Sequence, residues 1–241
     1  KDALATLREA NGTSRNYLYS RPWYVIIGPP GAGKTTALLN SGLRFPYSDR
    51  AQDGTSGTRN LDFLFADEAV LVDTAGRYTT QDSDSDVDEA GWFSLLKLLS
   101  KTKPYEPING VFVAMALEDL QRGDVQAIDE HATIVRRRLF ELRDKLGVEV
   151  PVYLLLTKSD QMAGFVEFFS DLDVDGRRSV FGHTFDRNSK HLGSDDFAEA
   201  FDLMTNHIAE RSPKRLQEET DLRRRGLILG FPSQLHALRA P

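Results

Sequence analysis

WYVIIGPPGAGKTTALL, residues 23–39, decides the fold. Trp23–Ile27 is rich in β-branched and aromatic side chains and reads as a strand. It runs into Gly28-Pro29-Pro30-Gly31-Ala32-Gly33-Lys34-Thr35, and Thr36–Leu39 opens a helix. Strand, glycine-rich loop and helix follow in that order, and the loop matches G-x-x-x-x-G-K-[ST] at every fixed position. Glycines let successive backbone N–H groups turn inward as a nest for an anion. Lys34 is placed to reach the β- and γ-phosphates, and the Thr35 hydroxyl to ligate Mg²⁺. The stretch therefore predicts a bound nucleoside triphosphate, GTP or ATP, with contacts from Gly28 through Thr36.

Composition frames this reading. A chain of 241 residues, 40% hydrophobic and 27% charged, suits one α/β domain with a sizeable core. Its net charge of −6 argues against a nucleic-acid partner. Without cysteine there is no disulfide frame and no thiolate metal site. No run approaches the length of a membrane span, and the first residues lack the order of a signal peptide. The missing initial Met is consistent with a piece of a longer protein.

Around the loop the chain reads as an alternation of strands and helices. Residues 1–21 form an amphipathic lead-in, a linker or docking helix, and residues 22–241 the main domain. A polar stretch at Gly42–Gly57 precedes Thr58. Two short strands, Leu61–Ala66 and Ala69–Asp73, join at Asp67-Glu68. The second ends in Asp73-Thr74-Ala75-Gly76, where the carboxylate would hold magnesium and Gly76 could donate its N–H to a γ-phosphate. Thr35, Thr58 and Asp73 are the candidate magnesium ligands. Lys34, Asp73, Gly76 and Arg77 are the candidate catalytic residues.

Thr79–Glu89 carries Asp82, Asp84, Asp86, Asp88 and Glu89. A calcium loop counted from Asp82 would need Gly and Glu where Val87 and Phe93 stand, so the stretch reads as a solvated, mobile loop. Trp92–Leu99 reads as a short helix, Ile108–Leu117 as a buried strand. Ile128, Ala132, Val135, Leu139, Leu142 and Leu146 then repeat at alternating steps of four and three, one helical stripe stopped by Gly147. Arg136–Arg138 interrupts it as a solvated face.

Val150–Leu156 reads as a further buried strand and delivers Thr157-Lys158-Ser159-Asp160. The Asp160 carboxylate could accept from guanine N1–H and the 2-amino group, the Lys158 stem could cover the base, and adenine would be disfavoured. Met162–Leu172 reads as a helix anchored by Phe165, Phe168 and Phe169. Residues 172–225 form a partly helical insertion or extension, with a small strand possible at Ser179–Phe185 and a kink or break at Ser212-Pro213. Leu227–Leu229 reads as a last strand. The five histidines show no metal-ligand spacing. The expected fold is α/β, P-loop and G-domain-like: a mainly parallel sheet with helices on both faces.

Read together, RPWYVIIGPPGAGKTTALLNSGL, GTRNLDFLFADEAVLVDTAGRYTTQDS, LLTKSDQMAGFVEFF, VFGHTF and RRRGLILGFPSQL resemble the nucleotide-binding domain of the IcmF/TssM family. Members of that family are large inner-membrane proteins of type VI secretion systems. The resemblance runs from about residue 15 to the C-terminal end. It implies a domain at the cytoplasmic face of the bacterial inner membrane, attached through transmembrane segments outside this chain. It further implies a role in assembling the envelope-spanning complex, with membrane-complex and baseplate proteins as partners. Two positions depart from a standard GTPase: Thr157 replaces the Asn of N-K-x-D, weakening the hold on the base-supporting loop, and Arg77 replaces a water-orienting Gln. The expected enzymology is slow or partner-dependent hydrolysis; the alternative is a nucleotide-binding scaffold with negligible turnover. A metabolic kinase or transporter ATPase would need neither D-T-A-G nor T-K-S-D.

Overall fold

In a computed structural model, the structure describes residues 18–46, 61–79, 85–122, 124–186 and 192–239. The chain divides into two compact units, residues 1–116 with 125–157, and residues 117–124 with 158–241.

The first unit is built on a five-stranded sheet: β1 (Trp23–Ile27), β2 (Leu61–Phe65), β3 (Val70–Thr74), β4 (Gly110–Ala116) and β5 (Val152–Thr157), in the order β2-β3-β1-β4-β5. β1 lies at the centre, parallel to β3 and β4, and β5 is parallel to β4. Only β2 runs antiparallel, a hairpin partner of β3, so the sheet is mixed. The near-continuous apolar runs of β1 and β4 arise because both faces are covered. On one face Val25, Ile27, Val72, Val111 and Val113 pack with Trp92, Leu95, Leu96 and Leu99 of α2 (Ser85–Thr102), and with Val135, Leu142 and Leu146 of α4 (Val125–Leu146). On the other, Ile26, Leu71 and Ala114 pack with Leu38 of the short α1 (Lys34–Leu39).

Three expectations in this unit need correction. The strand at 150–156 is not buried: β5 ends the sheet order beside β4, and its Val152, Tyr153 and Leu154 are exposed. The acidic stretch is not loop throughout: residues 85–89 open α2. Its first part, including Asp82 and Asp84, lies outside the described residues. Nor is Arg136–Arg138 solvated throughout. Arg138 is buried because it shares the helical phase of Val135 and Leu142.

The second unit holds α3 (Leu117–Gln121), α5 (Phe165–Phe168), α6 (Val174–Arg178), α7 (Ser194–Glu218) and α8 (Leu222–His236). The LIL run at 227–229 belongs to α8 rather than to a strand. The Asp221 carboxylate caps that helix by accepting from Arg223 and Arg224 N–H, both at 2.9 Å, and Ile228, Phe231 and Leu235 bury one helical stripe. Phe231 meets Phe165, Phe168 and Phe169 at ring-centroid distances of 5.8, 5.1 and 5.8 Å. Gly164 makes this possible: a Cβ there would stand 2.3 Å from the Leu227 carbonyl oxygen.

Pro213 does not divide α7, which runs unbroken from Ser194 to Glu218; the Ser212 hydroxyl donates to the Ile208 carbonyl at 3.0 Å. Residues 179–185 form no strand, and the helix expected over Met162–Leu172 is confined to α5. Arg215 is buried at the centre of the unit. Its guanidinium donates to the carbonyls of Phe168 (2.8 Å) and Glu167 (3.0 Å) and to Ser170 Oγ (3.3 Å), and pairs with Asp171 and Glu218 at 3.3 Å each. Among the described residues no helix is long and apolar enough to cross a membrane.

Candidate functional site

The first unit brings its candidate residues together at the carboxyl ends of β1 and β3. Parallel pairing sets Asp73 beside Ile26, so the carboxylate emerges next to the loop that leaves β1. The loop takes a backbone path that favours glycine: φ is +153° at Gly28, +75° at Gly31 and +73° at Gly33. At Gly28 the close neighbour is β4, since a Cβ would come within 2.4 Å of the Ala114 carbonyl oxygen.

Lys34 opens α1 and folds back on the loop, donating from Nζ to the carbonyls of Gly28 (2.8 Å) and Pro29 (3.0 Å). Burial pushes its pKa below 10.5, and the nearby Asp73 charge opposes that shift. Thr35 Oγ1 donates to Asp73 Oδ2 at 2.5 Å, and Asp73 is fully buried. Two hard oxygen donors thus converge beside the lysine. That donor set fits magnesium, which takes one or two protein oxygens and completes its shell with water and phosphate. Thr58 lies outside the described residues.

Gly76, two residues past the end of β3, touches the same loop. A Cβ on it would lie 2.4 Å from Pro30 N and 2.8 Å from the Pro29 carbonyl carbon, so only glycine lets the two backbones meet. The turn Gly76–Thr79 closes with Tyr78 N–H donating to the Ala75 carbonyl (3.1 Å) and Thr79 Oγ1 to that of Gly76 (2.9 Å). Arg77 pairs with Asp88 of α2, Nε to Oδ1 at 2.6 Å. Thr157 ends β5 with its hydroxyl 2.6 Å from the Ala32 carbonyl and 3.1 Å from that of Met115. Threonine at this position therefore still ties the strand end to the glycine-rich loop, through one hydroxyl.

Lys158 and Asp160 belong to the second unit. Lys158 has φ +57°, the only positive φ of a non-glycine residue among those described, and its Nζ stands 3.8 Å from Glu118 Oε2. Asp160 is exposed in the turn Ser159–Gln161. Sequence reasoning missed Thr74, whose hydroxyl donates to the Ile26 carbonyl at 2.7 Å, and also Asp88 and Arg138. For Arg138 a signal existed in its spacing of three and four from Val135 and Leu142.

The model of the IcmF-related N-terminal domain matches residues 85–241, more than half of the chain. The type VI secretion system component TssM1 of Pseudomonas aeruginosa is 48% identical over 247 residues. The chain belongs to the IcmF-related family. That alignment takes in 99% of this chain, and so extends over the glycine-rich loop that precedes the family-model match. It takes in 22% of TssM1, so this IcmF-related domain spans about a fifth of its relative's length.

Proposed function

We propose that this domain binds a nucleoside triphosphate with magnesium, GTP in preference to ATP, and hydrolyses it slowly in the service of type VI secretion-complex assembly. The observation that carries the reading is the cluster of Lys34, Thr35 and Asp73 against a loop with three positive-φ glycines. Lys34 is a buried cation held by two neutral carbonyls, and phosphate oxygens would offer it charge-assisted partners instead. Thr35 and Asp73 would hold the metal, which when bound would supply positive charge against that of the phosphates. Gly76 would donate its N–H to the terminal phosphate. Asp160, third in the sequence order phosphate loop, D-x-x-G, x-K-x-D, would read the guanine edge.

A scaffold with negligible turnover is the second reading, and Arg77 favours it. Its Nε is engaged with Asp88, and an arginine cannot serve as a base for water. The setting proposed from the family is the cytoplasmic face of the bacterial inner membrane, with membrane-complex and baseplate proteins as partners.

Calorimetric titration of GTP, ATP and their diphosphates with Mg²⁺, followed by phosphate release, tests the proposal. Binding with slow release supports the first reading, binding without release the scaffold, and no binding defeats both. Competition by xanthosine triphosphate on wild type and Asp160→Asn tests base choice: the asparagine amide can donate to the xanthine 2-carbonyl. Equal GTP and ATP affinity, unchanged by the substitution, would leave Asp160 without a base-reading role.

A further inference from the structure

We infer that Arg138 of α4 and Asp88 of α2 are positioning residues for the terminal-phosphate contact of Gly76, an inference that rests on the nucleotide reading above. Gly76 is in backbone contact with Pro29 and Pro30, so a small shift of its turn moves its N–H directly relative to the phosphate loop. The turn is four residues long and closes itself with two hydrogen bonds. Two helices hold it as well. Arg138 Nε donates to the Tyr78 carbonyl at 2.7 Å, while Nη1 donates to Glu141 at 2.8 Å and the guanidinium lies 5.3 Å from the Trp92 ring centroid. The Tyr78 ring sits against Trp92 and over Gly91, where a Cβ would stand 3.0 Å from the phenol oxygen. Asp88, itself buried, holds Arg77.

Consecutive residues of the turn, Arg77 and Tyr78, are thus gripped from α2 and α4 respectively. A buried guanidinium is costly unless its donors are used. Here Arg138 spends one on the backbone of the D-T-A-G-R-Y turn, whereas a solvated arginine of the same triplet would do nothing for it. The arrangement couples the placement of Gly76 to the packing of α2 and α4. A diphosphate has no group at the terminal position, so its affinity reports the loop alone. The ratio of triphosphate to diphosphate affinity reports the turn.

The experiment titrates the 241-residue chain and its Arg138→Lys and Asp88→Asn variants with GTP, GDP, ATP and ADP in the presence of Mg²⁺. Lysine keeps the charge but cannot serve Tyr78 and Glu141 from one planar fork. Triphosphate affinity should fall about tenfold in Arg138→Lys, the loss of one charge-assisted hydrogen bond, and about threefold in Asp88→Asn. Diphosphate affinity should stay within about twofold in both. Equal losses for both nucleotides, or no loss for either, overturns the assignment, as does a wild type without triphosphate preference. Should Arg138→Lys fail to fold, Asp88→Asn decides alone, because it is isosteric. A wild type that binds no nucleotide overturns the nucleotide reading itself. A wild type that prefers triphosphate, with variants that keep the preference, overturns only this one.

Discussion

Lys34 in the first unit and Arg215 in the second are both buried cations, 6% and 3% exposed, in different company. Arg215 meets two carboxylates, two carbonyls and a hydroxyl, and its fork is used up in joining α7 to the turn after α5. Lys34 donates to two neutral carbonyls, and the carboxylate near it accepts from Thr35. The first arrangement completes a core. The second leaves a desolvated positive charge beside an open glycine-rich backbone, the state from which binding an anion gains most. A buried charge therefore marks structure or binding according to how fully its partners satisfy it.

The largest effect should come from the saturated cation. Arg215→Met takes the side-chain donor from the Phe168 carbonyl and one of two partners from Asp171, which keeps Arg211, and from the Glu167 carbonyl, which keeps Ser170; it should destabilise the domain by about 3 kcal/mol, read by urea unfolding. A loss below about 1 kcal/mol would mean that the cluster is dispensable and the contrast with Lys34 false.

Lys34→Ala should do the reverse. Triphosphate affinity should fall at least tenfold, about 1.5–3 kcal/mol, while the unfolding midpoint without nucleotide hardly moves. Thr35→Ala should lose chiefly the magnesium-dependent part of binding, seen by titrating with and without the metal. Unchanged binding in both variants would show the loop to be vestigial.

Thr157→Val keeps the shape and removes the hydroxyl that ties β5 to the Ala32 carbonyl, so about 1 kcal/mol of stability should go. A change within experimental error would place the hold on the loop elsewhere.

The smallest effect sharpens the comparison by pH. Because the folded-state pKa of Lys34 lies below 10.5, the unfolded chain binds more protons between those two values. The cost of burying the ammonium is present at neutral pH and is relieved as pH rises through the folded pKa, so stability without nucleotide gains there. Lys34→Met should flatten that alkaline gain in unfolding free energy. An identical pH profile in the variant would show that the charge at Lys34 carries no strain.

The glycine-rich loop was legible in the sequence because its requirements are local. Positive φ at Gly31 and Gly33 and the backbone contact at Gly28 admit essentially one residue type, and the lysine and threonine follow at fixed offsets. The same holds for Asp73, delivered by an apolar strand whose length and composition announce it. The stripe on α4 was equally plain, since six apolar residues repeat at helical spacing.

What the sequence determined by itself, then, was the order of elements around β1 and the identity of the loop, both set by short-range backbone geometry and periodicity. Tertiary structure decided the rest. Leu227–Leu229 is an apolar triplet that fits strand or helix alike, and the Asp221 cap with the pocket around Phe231 chose helix. Arg138 stands between two other arginines in the sequence, yet it is buried because Trp92 and the Tyr78 carbonyl lie where its side chain falls. The partner of the Thr157 hydroxyl was likewise set by the fold, which brought the Ala32 carbonyl within its reach. Each of these outcomes depends on a partner tens of residues away or on a helical stripe completed by packing, and no local pattern records where such partners will be.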